Sequence, residues 1–327
     1  MIITEHTDIQ HQTSAAVAVV GLFDGVHLTH MKVMSEAVGM AHATGAQTIA
    51  VVLRAAEQTS EAHRCLTTHD EQMQILEQCG ADICVLAPSP SVDTLPELVE
   101  CLLKKRLCAT DVFLADTDWT DAQQSEVVRQ LADSCERENI TLHTAVSVCI
   151  DGAEVNRHAI CEQLTAGDVA GAMRMLGRPY MLSGIVVGGQ RKGRELGFPT
   201  ANMSLSGIQK IIPRRGVYAT EASIGTQEHR YAAMTNIGMR PTFDGNSMTV
   251  ETHLFDFSEE IYGEKLYVSF VSHVRDERRF ESVADLVSQL QADEEKIRGK
   301  EKAKLRQHEQ RTSNGKWKDE NGKLKVL

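Results

Sequence analysis

The sequence predicts a doubly wound α/β domain followed by an antiparallel β-barrel that ends in a helix. Three observations predict this. Up to about residue 176, apolar strand-like runs alternate with helical periodicity, which implies a parallel sheet with helices on both faces. From Tyr180 to Val274 strand follows strand with no long helix between them, so that sheet is antiparallel and closes on itself. Between the two, Gly177-Arg178-Pro179 reads as a helix stop and a linker. The chain has 327 residues, enough for two separate cores.

Each element has its own signal. Ala15 to Phe23 is a short apolar run, hence a buried strand, and helical spacing follows from about Met31 to Ala43. Thr48 to Leu53 reads as strand. Thr68-His69-Asp70-Glu71 is a capping box that opens a helix with Met73, Leu76 and Cys79 on one face and Gly80 at its end. Ile83 to Ala87 is strand. Thr94-Leu95-Pro96-Glu97 reads as a second capping box, opening a helix to about Leu107. Strand at Asp111 to Ala115, helix at Asp121 to Glu138 and strand at Ile140 to Val148 complete the alternation. The second half offers strands at Tyr180 to Val187, Gly216 to Ser223, His229 to Asn236, Met248 to Phe255 and Lys265 to Val274. Ser282 caps a last helix whose apolar stripe is Val283, Leu286, Val287 and Leu290.

Composition excludes several classes. Hydrophobic residues make up 42% and charged residues 24%, an ordinary globular balance. No apolar run approaches the length of a membrane span. The polar start, MIITEHTDIQHQ, has no basic segment leading into an apolar run, so the expectation is a cytoplasmic protein without a secretory signal. The net charge of −11 argues against a dedicated nucleic-acid binder. Eight cysteines lie between Cys65 and Cys161, none spaced as CxxC; they are expected to be reduced thiols acting as small core hydrophobes.

The charge is uneven. From Lys296 to Leu327 there are 11 Lys and Arg against 4 Asp and Glu, a net +7, which leaves −18 for the rest. The basic extension is either a solvated, partly helical tail or a contact for nucleic acid or a partner. Within it, Lys316 to Val326 alternates around Asn321-Gly322 and reads as a hairpin.

The densest chemistry lies between Gly184 and Asn202. Gly188, Gly189, Gly193 and Gly197 allow backbone to approach a ligand closely, and Arg191, Lys192 and Arg194 put positive charge in the same loop. Such loops suit phosphate; a flexible basic hairpin tip is the other reading. Neither the Walker pattern nor GxGxxG is present. Thr200 and Asn202 offer neutral oxygens two residues apart, a plausible contact on a magnesium ion.

Here the residues carry a resemblance. Gly197-Phe-Pro-Thr-Ala-Asn202, Pro213-Arg-Arg-Gly216-Val-Tyr218, Asn236-Ile-Gly238-Met-Arg240-Pro-Thr242, Val250-Glu251-Thr-His-Leu-Phe255-Asp256 and Arg275-Asp276-Glu277 occur in the order seen in riboflavin kinases. Phe23-Asp24-Gly25-Val26-His27-Leu28-Thr29-His30 resembles the opening of an adenylyltransferase module. The chain to about residue 298 resembles the bacterial bifunctional riboflavin kinase/FMN adenylyltransferase (FAD synthetase) family. The resemblance implies a nucleotidyltransferase-like domain at 1–178 and a six-stranded riboflavin kinase barrel at 179–298, and the uneven charge adds a basic extension at 299–327. It also implies transfer of the γ-phosphate of Mg²⁺-ATP to the 5′-hydroxyl of riboflavin, giving FMN. Carried over, Thr200 and Asn202 would help hold Mg²⁺ and the phosphates, and the loop containing Gly189, Arg191, Lys192, Gly193 and Gly197 would cover the nucleotide. Glu251 would be the base. Taken alone, a strand glutamate is more often solvated surface. Arg275 either orients flavin or phosphate or forms a salt bridge with Asp276 or Glu277. The implied partners are the small molecules riboflavin and ATP, with no membrane and with nucleic acid only through the tail.

The N-terminal match is broken. Both histidines of the family's HxGH are present, as His27 and His30, but Thr29 replaces the glycine between them. The family's Phe-x-Pro-His-Pro aligns with Leu53-Arg54-Ala55-Ala56-Glu57. Its Gly-x-Asp-Phe-x-Phe-Gly aligns with Ala115 to Asp121, and its Ser-Ser-Thr-x-Ile-Arg with Asn156 to Cys161, so Cys161 stands at the phosphate-binding arginine. The site Phe23, Asp24, Gly25, His27, His30 is therefore read as degenerate, with FMN adenylyltransferase activity reduced or lost. Full bifunctionality and a flavin- or nucleotide-binding regulatory module are the alternatives.

Overall fold

The computed structural model describes residues 1–9, 14–54, 64–89, 91–115, 121–144, 146–189, 192–225, 229–242, 245–313, 317–318 and 324–325. Side chains are described for these except at 92, 121–125, 127, 192, 240–242, 245–246 and from 300 onward. Two compact units emerge: Met1–Ala166, Gly171–Arg178 and Gln209–Ile212 in one, Gly167–Ala170, Pro179–Ile208 and Pro213–Leu327 in the other.

The first unit is built on a six-stranded parallel sheet. Its strands are β1 (Ile2–Glu5), β2 (Ala16–Gly21), β3 (Gln47–Arg54), β4 (Ile83–Pro88), β5 (Ala109–Leu114) and β6 (Thr141–Thr144), in the spatial order β1-β4-β3-β2-β5-β6. Strand β2 is buried along its whole length. Alternation sends Ala16, Ala18 and Val20 to one face and Val17 and Val19 to the other. Helix α1 (Leu28–Thr44) covers the second face with Val33, Met34, Ala37 and Ala41. Leu95, Val99, Leu102 and Leu103, with Leu131 and Cys135, cover the first. Helix α2 (His69–Gln78) starts with the expected box: Glu71 N–H donates to Thr68 Oγ1 (3.3 Å), and Thr68 N–H donates to Glu71 Oε2 (3.0 Å). Gly80 just beyond it takes φ +93°, a conformation only glycine adopts without strain.

Three expectations are corrected here. The helical segment after β4 is capped by Ser91, not Thr94: Thr94 is its N3 residue, and Ser91 N–H donates to Thr94 Oγ1 (2.9 Å). The segment then runs through α3 (Leu95–Glu97) into a π-helix over Leu98–Arg106. The strand expected at Ile140 to Val148 ends at Thr144; β7 (Cys149–Ile150) and β8 (Ala153–Glu154) follow as a small hairpin. The cysteines are not mostly core: Cys84 and Cys135 are buried, Cys101 and Cys149 are exposed, and the other four lie between; all eight are free thiols. Helices α4 (Asp121–Arg137), α5 (Arg157–Ala166) and α6 (Val169–Leu176) complete the α elements before the barrel.

The second unit is a closed barrel in the order β10-β13-β12-β11-β14-β9. The strands are β9 (Tyr180–Val187), β10 (Ala201–Met203), β11 (Gly216–Ile224), β12 (Tyr231–Thr242), β13 (Gly245–Leu254) and β14 (Lys265–Arg275), with a single helical turn, α7 (Lys192–Glu195), before β10. All barrel pairings are antiparallel. Val217, Ala219 and Met234 face outward against Leu290 and Ile297 of helix α8 (Val283–Ser313). Alternation puts Tyr218, Thr220 and Thr235 on the inner face. There Thr220, Thr235 and Thr252 are buried, and their hydroxyls form a chain at 2.9 and 3.0 Å that satisfies all three. Ser282 caps α8 as expected, accepting from Asp285 N–H (3.1 Å). The tail hairpin is present as β15 (Trp317–Lys318) paired antiparallel with β16 (Leu324–Lys325). Among the described residues no helix is long and apolar enough to cross a membrane.

Candidate functional sites

On the barrel, strand pairing assembles a row of polar side chains. β13 lies between β10 and β12, and Glu251 pairs with Asn202 on one side and Asn236 on the other. Directly paired residues share a face, so Asn202, Glu251 and Asn236 stand side by side on the outer surface. In the same row Asn236 pairs with Val217, and Val217 with Arg275.

Glycines make room around this row. A Cβ on Gly189 would lie 2.3 Å from Asn202 Nδ2, and one on Gly193 would lie 2.3 Å from the Phe198 carbonyl and 3.6 Å from Thr200 Oγ1. The loop can therefore rest on Asn202 and on the Phe198 carbonyl only because both positions lack a side chain. Gly197 turns the chain at φ +84°. A Cβ on Gly238 would lie 2.7 Å from Glu277 Oε1 and 3.1 Å from Asn236 Nδ2, so these two side chains meet in the slot it leaves.

Two cavities flank the row. One, of about 490 Å³, is lined by Arg194, Pro199, Thr200, Leu254, Glu260 and Tyr262 among others, and reaches β10 through Thr200 and Ala201. Arg194 pairs with Glu260 at its rim (2.9 Å). The other, of about 760 Å³, is lined by Arg214, Arg215, Met239, Asp276, Glu277, Arg278 and Arg279, and reaches β12 through Met239.

The structure thus brings Gly189, Gly193, Thr200, Asn202 and Glu251 together. Gly197 ends the turn that carries Phe198. Arg191 and the side chain of Lys192 lie outside the described residues. Arg275 differs from the expected ion pair: its Nε donates to Asp293 Oδ2 on α8 (2.7 Å) and its Nη1 to the Asp276 carbonyl (3.1 Å), while the Asp276 carboxylate pairs with Arg214 (3.3 Å). Asp293 had a sequence signal. It falls on the stripe of Leu286, Leu290 and Ile297, where an acid predicts a buried partner. The cavity wall at Glu260 to Tyr262 lacked one beyond the turn at Gly263.

Among the described residues no three His, Cys, Asp or Glu side chains gather as a metal site. The Thr200 and Asn202 oxygens are neutral donors under a glycine-lined loop. They suit a divalent cation carried mainly by nucleotide phosphates rather than one held by an all-protein cage.

The first unit places Phe23, Asp24, Gly25, His27 and His30 at the start of α1. His27 and His30 are buried and stacked, with ring centroids 3.8 Å apart, and Phe23 lies 5.2 Å from His30. Asp24 accepts backbone N–H groups from Leu66 (2.8 Å) and Thr67 (3.1 Å) and the Arg157 Nε (2.8 Å). Arg157 also donates to the Arg64 carbonyl (2.7 Å), so the arginine nearest Cys161 is committed to the fold. Arg178 donates to the carbonyls of Gly25 (2.5 Å) and Val26 (3.0 Å). Thr29 is fully buried: its hydroxyl donates to the Val155 carbonyl (2.8 Å) and accepts from Val148 N–H (3.2 Å). Thr29, at the position of the family's glycine, is thus bonded between the Val148 and Val155 backbones. The aligned segments at 55–57 and 116–120 lie outside the described residues.

Burial, then His30 and Arg178, hold the His27 imidazole down to about 2. The unfolded chain binds this proton near 6.5 and the folded chain does not, so stability falls as pH drops below 6.5. From pH 6.5 to about 4.5, His27 should cost about 2–3 kcal/mol of stability. Urea unfolding across that range should show a flatter pH slope in His27→Asn than in wild type; equal slopes would refute it.

Comparison with known proteins gives matches to family models, to two relatives and to a solved structure. A family model described as riboflavin kinase matches residues 176–300, and one described as FAD synthetase matches residues 9–159. A Haemophilus influenzae protein described as bifunctional riboflavin kinase/FMN adenylyltransferase is 30% identical, with 84% of this chain and 91% of that one covered. A Bacillus subtilis protein of the same description is 27% identical, covering 89% and 94%. A crystal structure described as a macrolide-efflux protein from Streptococcus pneumoniae superposes with a TM-score of 0.78 at 26% identity, covering 91% of this chain and 99% of that one.

Proposed function

We infer the function from one premise: the chain belongs to the bifunctional riboflavin kinase/FMN adenylyltransferase family. It is an enzyme with riboflavin kinase activity and carries both a riboflavin kinase and a FAD synthetase domain. In the finer reading, residues 1–178 form the nucleotidyltransferase-like domain, 179–298 the kinase and 299–327 a basic extension, in a cytoplasmic protein.

The observation that carries the kinase mechanism is the position of Glu251 on the strand paired to both flanking strands. ATP sits in the cavity at Thr200, and riboflavin on the side of Asn236 and Glu277. Glu251 accepts the proton of the ribityl 5′-hydroxyl as the hydroxyl oxygen attacks the γ-phosphorus in line, and the bond from that phosphorus to the β,γ-bridging oxygen breaks to release ADP. Thr200 and Asn202 orient the phosphates, with the loop at Gly189 and Gly193 closing over them. Thr200 and Asn202 would hold Mg²⁺, which when bound would supply charge neutralisation for the transferring phosphoryl group. Chelation with excess EDTA should stop FMN formation and added Mg²⁺ should restore it; turnover that persists in EDTA would contradict the metal role.

The same chain makes little or no FAD. The support is Thr29, whose side chain fills and bonds the place where the family has glycine. Arg157, tied to Asp24, does not replace the arginine absent at Cys161. Loss of such phosphate contacts costs about 3–4 kcal/mol of transition-state stabilisation each. Separation of the flavin products formed from riboflavin and Mg²⁺-ATP tests both halves of this reading.

A further inference from the structure

We propose that His253 is a positioning residue of the kinase site, holding the Pro199 carbonyl so that Thr200 and Asn202 face the nucleotide. The proposal rests on the kinase reading and adds the residue that sets the geometry of its phosphate side.

Pairing between β10 and β13 runs Met203 with Val250, Asn202 with Glu251 and Ala201 with Thr252. There it ends. Two residues further back stands Pro199, which has no N–H to extend a ladder. His253 lies two residues beyond Glu251 on the same strand, and therefore on the same outer face. Its Nδ1 is 2.7 Å from the Pro199 carbonyl oxygen. A carbonyl can only accept, so Nδ1 carries the proton and donates it. The imidazole thus pins the carbonyl of a residue that the β10–β13 ladder no longer holds.

The ring is held for this task. It is 9% exposed, edge-on to Phe198 with centroids 5.4 Å apart, and packed against Phe255 at 5.6 Å. The clamped segment is itself tightly seated, since Phe198 N–H donates to the Gly193 carbonyl (2.8 Å) and the Phe198 carbonyl occupies the space a Gly193 side chain would need. One strand thus carries the base and, two residues on, the clamp. The spacing between Glu251 and the Thr200–Asn202 segment is set through β13, a rigid element, while β9 holds the other edge of β10.

Two substitutions separate the clamp from packing. His253→Phe keeps aromatic bulk and removes the donor; His253→Asn keeps a donor near the Nδ1 position and loses bulk. The Phe variant should raise KM for Mg²⁺-ATP by about tenfold or more, with KM for riboflavin within about twofold of wild type, the scale of a small misplacement of a binding segment. The Asn variant should recover most of the ATP affinity. Hydrogen exchange over 197–203 should quicken in the Phe variant and return toward wild type in the Asn variant, whether or not turnover is measured. An unchanged ATP KM with unchanged exchange in the Phe variant would overturn the proposal. So would an Asn variant as impaired as the Phe variant, which would mean the ring serves packing alone. If the wild type forms no FMN, the kinase reading fails, and the exchange comparison still decides the clamp.

Discussion

Glu251→Gln should lower kcat for FMN formation by at least about a hundredfold, the scale of losing a general base. The substitution keeps shape and removes only the capacity to take a proton. Riboflavin binding, followed by quenching of flavin fluorescence, should stay near wild type. The effect should fall on kcat rather than on either KM, because the proton moves only in the reaction step. Glu251 stands between Asn202 and Asn236, on a strand that reaches the first cavity at Leu254, and among Asn202, Asn236, Val217 and Arg275 in its row there is no other acid. Turnover near wild type would remove the base assignment and leave the row as a binding surface.

Glu71→Ala should lower the stability of the first unit by about 3–5 kcal/mol. Lys210, in the Gln209–Ile212 segment that belongs to this unit, pairs with Glu71 at 2.5 Å. The Lys210 side chain is 4% exposed and that of Glu71 14%, so water replaces neither partner. Burial pushes the Lys210 amine below its usual range, while Glu71 pulls it back toward the charged form. Removing Glu71 strands a buried cation and also opens the capping box at Thr68. The double substitution of Glu71 and Lys210 by methionine should recover most of the loss, because no charge is left uncompensated. Urea midpoints of the single and double variants check this. A single variant within about 1 kcal/mol of wild type would place the pair among weak surface contacts.

Strong, repetitive signals were readable in the sequence and local exchanges of partner were not. The apolar run of β2 and the capping box at Thr68 are local signals that no tertiary contact had to create, whereas Val283 of the stripe expected on α8 is 63% exposed. β10 has three residues behind a proline, too few for a period, and it is defined by the strands on either side. β1 is an edge strand with Ile2 and Ile3 exposed, so its pattern carries no burial signal. Ser91 and Thr94 are both good caps, and only the chain path decides between them. The motif residues Glu251, Thr200 and Asn202 were legible through resemblance. The Arg275–Asp293 pair and the Thr29 contacts with Val148 and Val155 join residues far apart in sequence, so they required coordinates.

Incubation with FMN and Mg²⁺-ATP, followed by chromatographic separation of the flavins, tests whether the chain is a riboflavin kinase with a lapsed adenylyltransferase domain. FMN should be recovered unchanged, while a parallel incubation with riboflavin should yield FMN. FAD formed from FMN at a rate comparable to riboflavin phosphorylation would contradict it. That outcome would mean that the site at His27 and His30 accommodates ATP despite Thr29 and Cys161.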